Sequence, residues 1–385
     1  MQPGFKALFF FCLAGIACSC TSVKNISSKQ TTTGISSIKL LGQYDVPFNL
    51  NYNNTTVGGL SGIDYDAVNN LYYFICDDRS AINPARFYTA KISITPTGID
   101  TLYFTGVQNL LQPGGDHYPG SLQDPIHTPD PEAIRYNPLL QQLTWSSEGE
   151  RRFTKTDTIL QDPEVNIISL DGKYVDAIKI PTMLRMQKDE AGPRQNGTLE
   201  GMTFANNYQS LFLSMEEPLY EDGPRADTFD SNAFIRIMEY DVNSKINLRQ
   251  FAYKLEPVAY PALPSTAFKI NGVPDILAIG NGQLLIIERS FSSGRLPCTI
   301  RLYIADYNKA TDIKGVRSLK DNTGFTPATK KLLLNMDELG IYTDNIEGVC
   351  FGPILPNGNK TLIFIADNNF NPLERTQVFV FEILK

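Results

Sequence analysis

The chain is 385 residues long and carries 41 acidic against 34 basic side chains, for a net charge of −7, with 2 histidines and 6 cysteines. This acidic balance, without any basic run, argues against nucleic acid as a partner, because phosphate binding needs clustered Lys and Arg. The wide cysteine spacing argues against a cysteine–histidine metal cluster; Cys76, Cys298 and Cys350 each sit in an apolar run and read as buried free thiols.

In chain order, Lys6 and the apolar run 7–17 have the form of a bacterial export signal, too short to span a membrane as a helix. The run ends in ACSC, and small residues before a cysteine resemble a lipoprotein signal. Residues 1–19 are therefore expected to be a lipoprotein signal peptide, with Cys18 or Cys20 acylated; an ordinary secretory peptide with incidental cysteines is the alternative. Residues 20–36, rich in Ser, Thr and Lys, read as a disordered tether. Residues 37–385 are then one exported domain, held by lipid to a bacterial membrane on its periplasmic or outer-membrane face.

Residues 37–46 (SIKLLGQYDV) form a lone predicted strand, after which one hairpin unit recurs at 59–78, 131–148, 196–217, 274–288 and 345–367. In each unit an opening residue, acidic in all but the first, precedes a short apolar strand, and a second strand then runs into carboxylates. Ser61, Glu132, Glu200, Asp275 and Glu347 occupy equivalent positions at steps of 71, 68, 75 and 72 residues. A near-constant period marks copies of one supersecondary unit. Between hairpins the chain supplies two more strand-like runs per period: 85–94 with 98–106, 164–170 with 173–180, 233–242 with 247–255, and 299–307 with 329–335. The fifth period stops at 377–384, one strand short, and residues 37–46 are available to complete it. Four-stranded modules, with strands A to D, describe an all-β fold: a β-propeller of five blades whose ring is closed by the N-terminal strand. Six blades stay open, since 107–130 and 181–195 are long enough to hold further strands.

In a propeller, strand A begins and strand B ends at one face. That face is expected to collect Glu132, Glu200, Asp275 and Glu347 with the strand B closings Asp77, Asp78, Glu148, Glu216, Glu288 and Asp367, and the loop carrying His117 and His127. Like charges at close range cost free energy unless a cation or an arginine lies among them. An all-oxygen set suits a hard cation, and Ca²⁺, which takes about six to eight oxygens in loose geometry, fits better than Zn²⁺. Glu132, Glu200, Asp275 and Glu347 are the expected ligands. Arg79, Arg151, Arg289 and Arg375 follow the acids closely and offer the alternative of a salt-bridged structure.

Several of these segments resemble one known family. GLSGIDYD with YYFICDDRS (59–80), DPEAIRY with WSSEGE (130–150), NGTLEGMTF (196–204), IIERSFSSG (286–294) and NIEGVCFGP with IADNNF (345–370) are similar to the phytase-like domain of exported bacterial proteins, described as the esterase-like activity of phytase. The resemblance covers roughly 38–385 and implies a propeller that hydrolyses a small-molecule phosphoester or ester. It carries over no ligand set from alkaline propeller phytases or lactonase-type propellers, whose motifs are not matched. No G-x-S-x-G elbow is present, so metal-assisted hydrolysis is the expected mechanism. In it Ca²⁺ polarises a phosphoryl or acyl oxygen, Glu200 or Glu347 takes a proton from water, and Arg79 or Arg289 steadies the developing anion. His117 and His127 are candidate acid–base groups. A non-catalytic ligand- or protein-binding propeller is the alternative.

Overall fold

Each strand-like run named above between residues 37 and 384 is a strand in the computed structural model, which describes Met1, Gly4 and residues 34–384 apart from Thr156 and Asp321. The expected signal peptide, its cysteines Cys18 and Cys20, and the tether up to residue 33 lie outside the described residues.

The strands form five antiparallel blades. Blade 1 is Gly62–Asp66, Leu71–Cys76, Arg86–Thr95 and Gly98–Asn109, taken as strands A to D, and blade 2 is Pro131–Asn137, Gln142–Ser147, Glu164–Ser169 and Tyr174–Ala177. Blade 3 is Leu199–Ala205, Ser210–Met215, Phe234–Asp241 and Asn247–Lys254, and blade 4 is Ile276–Gly280, Gln283–Ser292, Thr299–Asp306 and Thr329–Asn335. Blade 5 takes Asn345–Phe351, Thr361–Asp367 and Thr376–Leu384, and its outer strand is Ser37–Val46 from the other end of the chain.

The A strands touch in a closed cycle of blades 1, 2, 3, 4, 5 and back to 1. Five blades therefore complete the ring, and neither long segment supplies a sixth: 107–130 continues strand D to Asn109 and adds one bridge, Leu111 to His117, while 181–195 holds a single 3₁₀ turn. The glycine after three opening residues has a packing cause. A Cβ on Gly62 would lie 2.7 Å from the Glu132 carbonyl oxygen, and one on Gly348 would lie 3.1 Å from the Gly62 Cα. Only glycine lets neighbouring inner strands approach so closely.

Strand B of blade 5, Thr361–Asp367, is buried along its whole length, whereas strand D of blade 4 keeps one edge in water. Blades pack face to face, so inner strands are covered on both sides and read as continuous apolar runs rather than alternating ones. Closure follows from the register Ser37 to Leu384 through Val46 to Thr376, with one slip between Leu40 and Gly42.

Three additions were not legible in the sequence. Residues Glu150–Phe153 and Thr158–Gln161 pair as a hairpin within the B-to-C loop of blade 2, and Asn51–Tyr52 pairs with Thr55–Thr56. In blade 4, strand B runs on to Ser292 and pairs first with Lys269–Gly272, then with Ile276–Gly280. That extension raises one wall at the mouth of the channel.

Candidate functional site

At the start of strand A in blades 2, 3 and 5 the pairing register slips, between Pro131 and Ile134, Leu199 and Gly201, and Ile346 and Gly348. Each slip contains the opening acid. A bulge re-aims the side chain it carries, and Glu132, Glu200 and Glu347 all line one cavity of 650 Å³. The strand B closings Asp77, Glu148 and Glu216 line it as well, together with Asp130.

Asp275 departs from the expected ring. In blade 4 the slip falls at the far end of the strand, between Ala278 and Gly280, so the opening acid is not re-aimed. Its carboxylate accepts from Arg135 Nη2 at 2.7 and 2.6 Å and from the backbone N–H groups of Ile276, Val349 and Met202 at 2.8, 2.8 and 3.3 Å. Arg135 in turn donates to the Ile63 carbonyl at 2.7 Å. This buried pair thus touches all five blades. Asp275 is a strut of the ring, with its lone pairs committed, and not a ligand at the mouth.

The tightest acidic group at the mouth belongs to blade 2. Asp130, Glu132 and Glu148 each offer a carboxylate oxygen, and these atoms lie within 4.8 Å of one another. Local structure explains the convergence: Asp130 and Glu132 are spaced by the strand period of two, and the Glu148 N–H donates to the Asp130 carbonyl at 3.0 Å across the A–B pair. Blade 3 steadies Glu148, whose carboxylate accepts from the Thr198 N–H at 2.8 Å, while the Thr198 hydroxyl donates to the Glu148 carbonyl at 2.9 Å. An all-oxygen triad of this kind fits a hard divalent cation. Asp130 was not among the expected site residues; the sequence signal for it is its i, i+2 spacing to Glu132, opposite the closing Glu148.

Arg289 lines the same cavity. It donates to Glu216 Oε1 at 2.8 Å, to Asn345 Oδ1 at 2.7 Å and to Glu347, and lies 3.9 Å from Glu200. Arg79 is 3.6 Å from Asp130 and donates to Glu150. Two guanidinium groups do not balance this many carboxylates. Burial, then Arg79 acting in the opposite sense, then Glu150 and Glu347 push Asp130 up to about 7. Burial reinforced by neighbouring carboxylates pushes Glu132, Glu148 and Glu200 well above the usual carboxylate range. Burial also raises Glu347, although Arg289 opposes it.

The remaining expected mouth residues divide by partner. Asp78 is paired with Arg86 at 2.7 Å and accepts from the N–H groups of Ala81, Ile82 and Asn83, so it caps a turn. Glu288 accepts from Tyr253, Asn271 and Lys330 at 2.7, 2.7 and 2.6 Å. Neither lines the cavity. Asp367 is fully buried and its Oδ1 has no hydrogen-bond partner; burial, then Glu347, pushes it well above the usual carboxylate range, and burial, then Asp367, does the same to Asp77. His117 and His127 lie exposed on their loop, outside the cavity, next to Asn109 and Asp124 respectively. The three body cysteines are buried free thiols, as read.

Among solved structures the chain is similar to an endo-arabinase from Bacteroides thetaiotaomicron (11% identity, TM-score 0.45, 86% of this chain and 95% of that one). It is also similar to an α-L-arabinofuranosidase from Lactobacillus brevis (12%, 0.42, 84% and 91%) and to the periplasmic gluconolactonase of Pseudomonas aeruginosa (10%, 0.37, 86% and 90%). Likeness at this level says nothing about activity. No curated protein matches the sequence. The model of the phytase-like family, described as the esterase-like activity of phytase, matches residues 55–370, and this chain belongs to that family.

Proposed function

We propose that this protein is an exported, lipid-anchored hydrolase of a small-molecule phosphoester or ester, working with a divalent cation, Ca²⁺ by preference, at the acidic mouth of the channel. The observation that carries the reading is the convergence of Asp130, Glu132 and Glu148, within 4.8 Å, on a cavity that also holds Arg289. Membership of a family described by an esterase-like activity adds to it. The lipid anchor rests on the leader sequence alone.

Asp130, Glu132 and Glu148 would hold the cation, which when bound would polarise the phosphoryl or acyl oxygen and offset developing charge. Glu200 is the carboxylate best suited to take a proton from water, because its ion pair with Arg289 is long, at 3.9 Å, and leaves it less committed than Glu216 or Glu347. Glu347 is held by Arg289 and by Asn345 at 2.7 Å, and its part is to orient that guanidinium toward the developing anion. Arg79 keeps Asp130 in place.

Melting the protein with Ca²⁺ or EGTA, while following hydrolysis of 4-nitrophenyl phosphate and 4-nitrophenyl acetate, tests this. Ca²⁺ is expected to raise the Tm by several degrees and to restore activity removed by EGTA, and Glu132→Gln and Glu148→Gln should lose both effects. A Tm indifferent to Ca²⁺, or equally raised in both variants, overturns the metal reading. A Ca²⁺ response without turnover of any ester leaves the non-catalytic ligand-binding propeller.

A further inference from the structure

We infer that the ligand of this cavity is an amphiphile with a single ester or phosphoester centre, whose apolar group lies on a wall made by Phe268, Phe291, Leu296 and Leu373. This rests on the hydrolase reading of the acidic side and deepens it. The cavity's lining is of two unlike kinds: carboxylates from blades 1, 2, 3 and 5, and these four apolar side chains with Ile270. Leu296, Leu373 and Phe268 are 77%, 78% and 53% exposed. Single exposed apolar residues are ordinary, but several gathered on the rim of one cavity mark a surface that something apolar covers.

The wall is built into the fold. Lys269–Gly272 pairs with the extended strand B of blade 4, setting Ile270 opposite Phe291, and the Phe268 and Phe291 rings lie 6.2 Å apart. The Ser293 N–H donates to the Phe268 carbonyl at 2.9 Å, and the Leu373 N–H donates to Asn371 Oδ1 at 3.0 Å. Charge restricts the other end of the ligand. Of the two arginines lining the cavity, Arg289 is already shared by Glu216 and Glu347, and Arg295 stacks on the Tyr260 ring at 3.6 Å with Asp337 at 3.7 Å. A polyphosphorylated molecule would meet many carboxylates and little free positive charge. One anionic or ester centre beside the triad, with an apolar group on the wall, meets both surfaces in kind.

The test is calorimetric binding, with Ca²⁺ present, of an alkylphosphonate series from methyl to octyl. These carry one non-hydrolysable head and a graded apolar tail. Affinity is expected to rise about two- to fourfold per methylene, and Phe268→Ser with Leu296→Ser should flatten the series. Because both side chains are exposed, the unliganded Tm and its Ca²⁺ shift serve as the check on folding. Inositol hexakisphosphate should compete no better than methylphosphonate. A flat series, a slope unchanged in the double variant, or tighter binding of the hexakisphosphate than of octylphosphonate overturns the inference. So does a flat series accompanied by binding to phosphatidylcholine vesicles that the substitutions abolish, which would make the wall a membrane contact. Failure of the hydrolase reading looks different: the phosphonate series keeps its slope while no 4-nitrophenyl ester turns over.

Discussion

Glu200 and Asp275 occupy equivalent places in successive blades but have unlike partners. With its long ion pair to Arg289, Glu200 is expected to tolerate Glu200→Gln at unchanged or higher Tm, while turnover of a 4-nitrophenyl ester falls by about 10²–10⁴. Asp275→Ala should instead strand Arg135 as an uncompensated buried charge, lowering stability by about 3–5 kcal/mol in urea denaturation, with the Ca²⁺ response of the remaining folded protein intact. Glu217 supplies a pH signature. Burial and Glu216 raise it from 4.5 to about 8, and Arg225 at 2.9 Å offsets this only in part because that side chain is 37% exposed to screening solvent. A carboxyl raised in the folded state binds its proton more tightly there than in the unfolded chain, so its stabilisation is present below about 4.5 and is lost as pH rises through about 8. Tm measured from pH 5 to pH 8.5 should therefore fall less steeply in Glu217→Gln than in the wild type.

Among the strands, Ser37–Val46 has the largest leverage on the whole, because it covers the edge of Thr376–Leu384 and ties the two ends of the chain. Its Ile38 and Leu40 pack against the apolar cluster between blades 4 and 5, and Val46 against that between blades 5 and 1. Deleting residues 21–34 should leave the Tm unchanged. Deletion through Tyr44 removes the pairing and the packing together and should lower stability by at least about 3 kcal/mol, by calorimetry or chemical denaturation. The register slips are the second elemental device. Where one falls at the opening acid the side chain turns into the cavity, and where it falls at the strand's far end, as in blade 4, the acid stays in the channel.

For the molecule as a whole, the proposed lipid anchor entails a mature N-terminus at Cys18 or Cys20 carrying acyl chains, since stable anchoring takes more than one chain. Mass spectrometry of the membrane fraction should find that species, and a lipid-free chain beginning beyond Cys20 would remove the anchor from the account. The ring itself was legible in the sequence, because strand formation depends on local alternation and turn residues, and a period near 70 residues repeats both. Its closure was legible for the same reason: one strand was missing at the end and one was left over at the start. The sequence also pointed to the face on which the acids gather, since strand direction assigns each strand end to a side. Which acids share a site was decided by tertiary structure alone. Glu132, Glu200, Asp275 and Glu347 look alike along the chain, yet Asp275 is turned inward by Arg135, a partner 140 residues away, and by backbone groups of three blades. Asp130 joins Glu132 and Glu148 through a bulge and a cross-strand pairing that composition cannot register. Phe268, Ile270 and Phe291 likewise come together because Lys269–Gly272 pairs with the end of blade 4's second strand, an encounter that no local preference specifies.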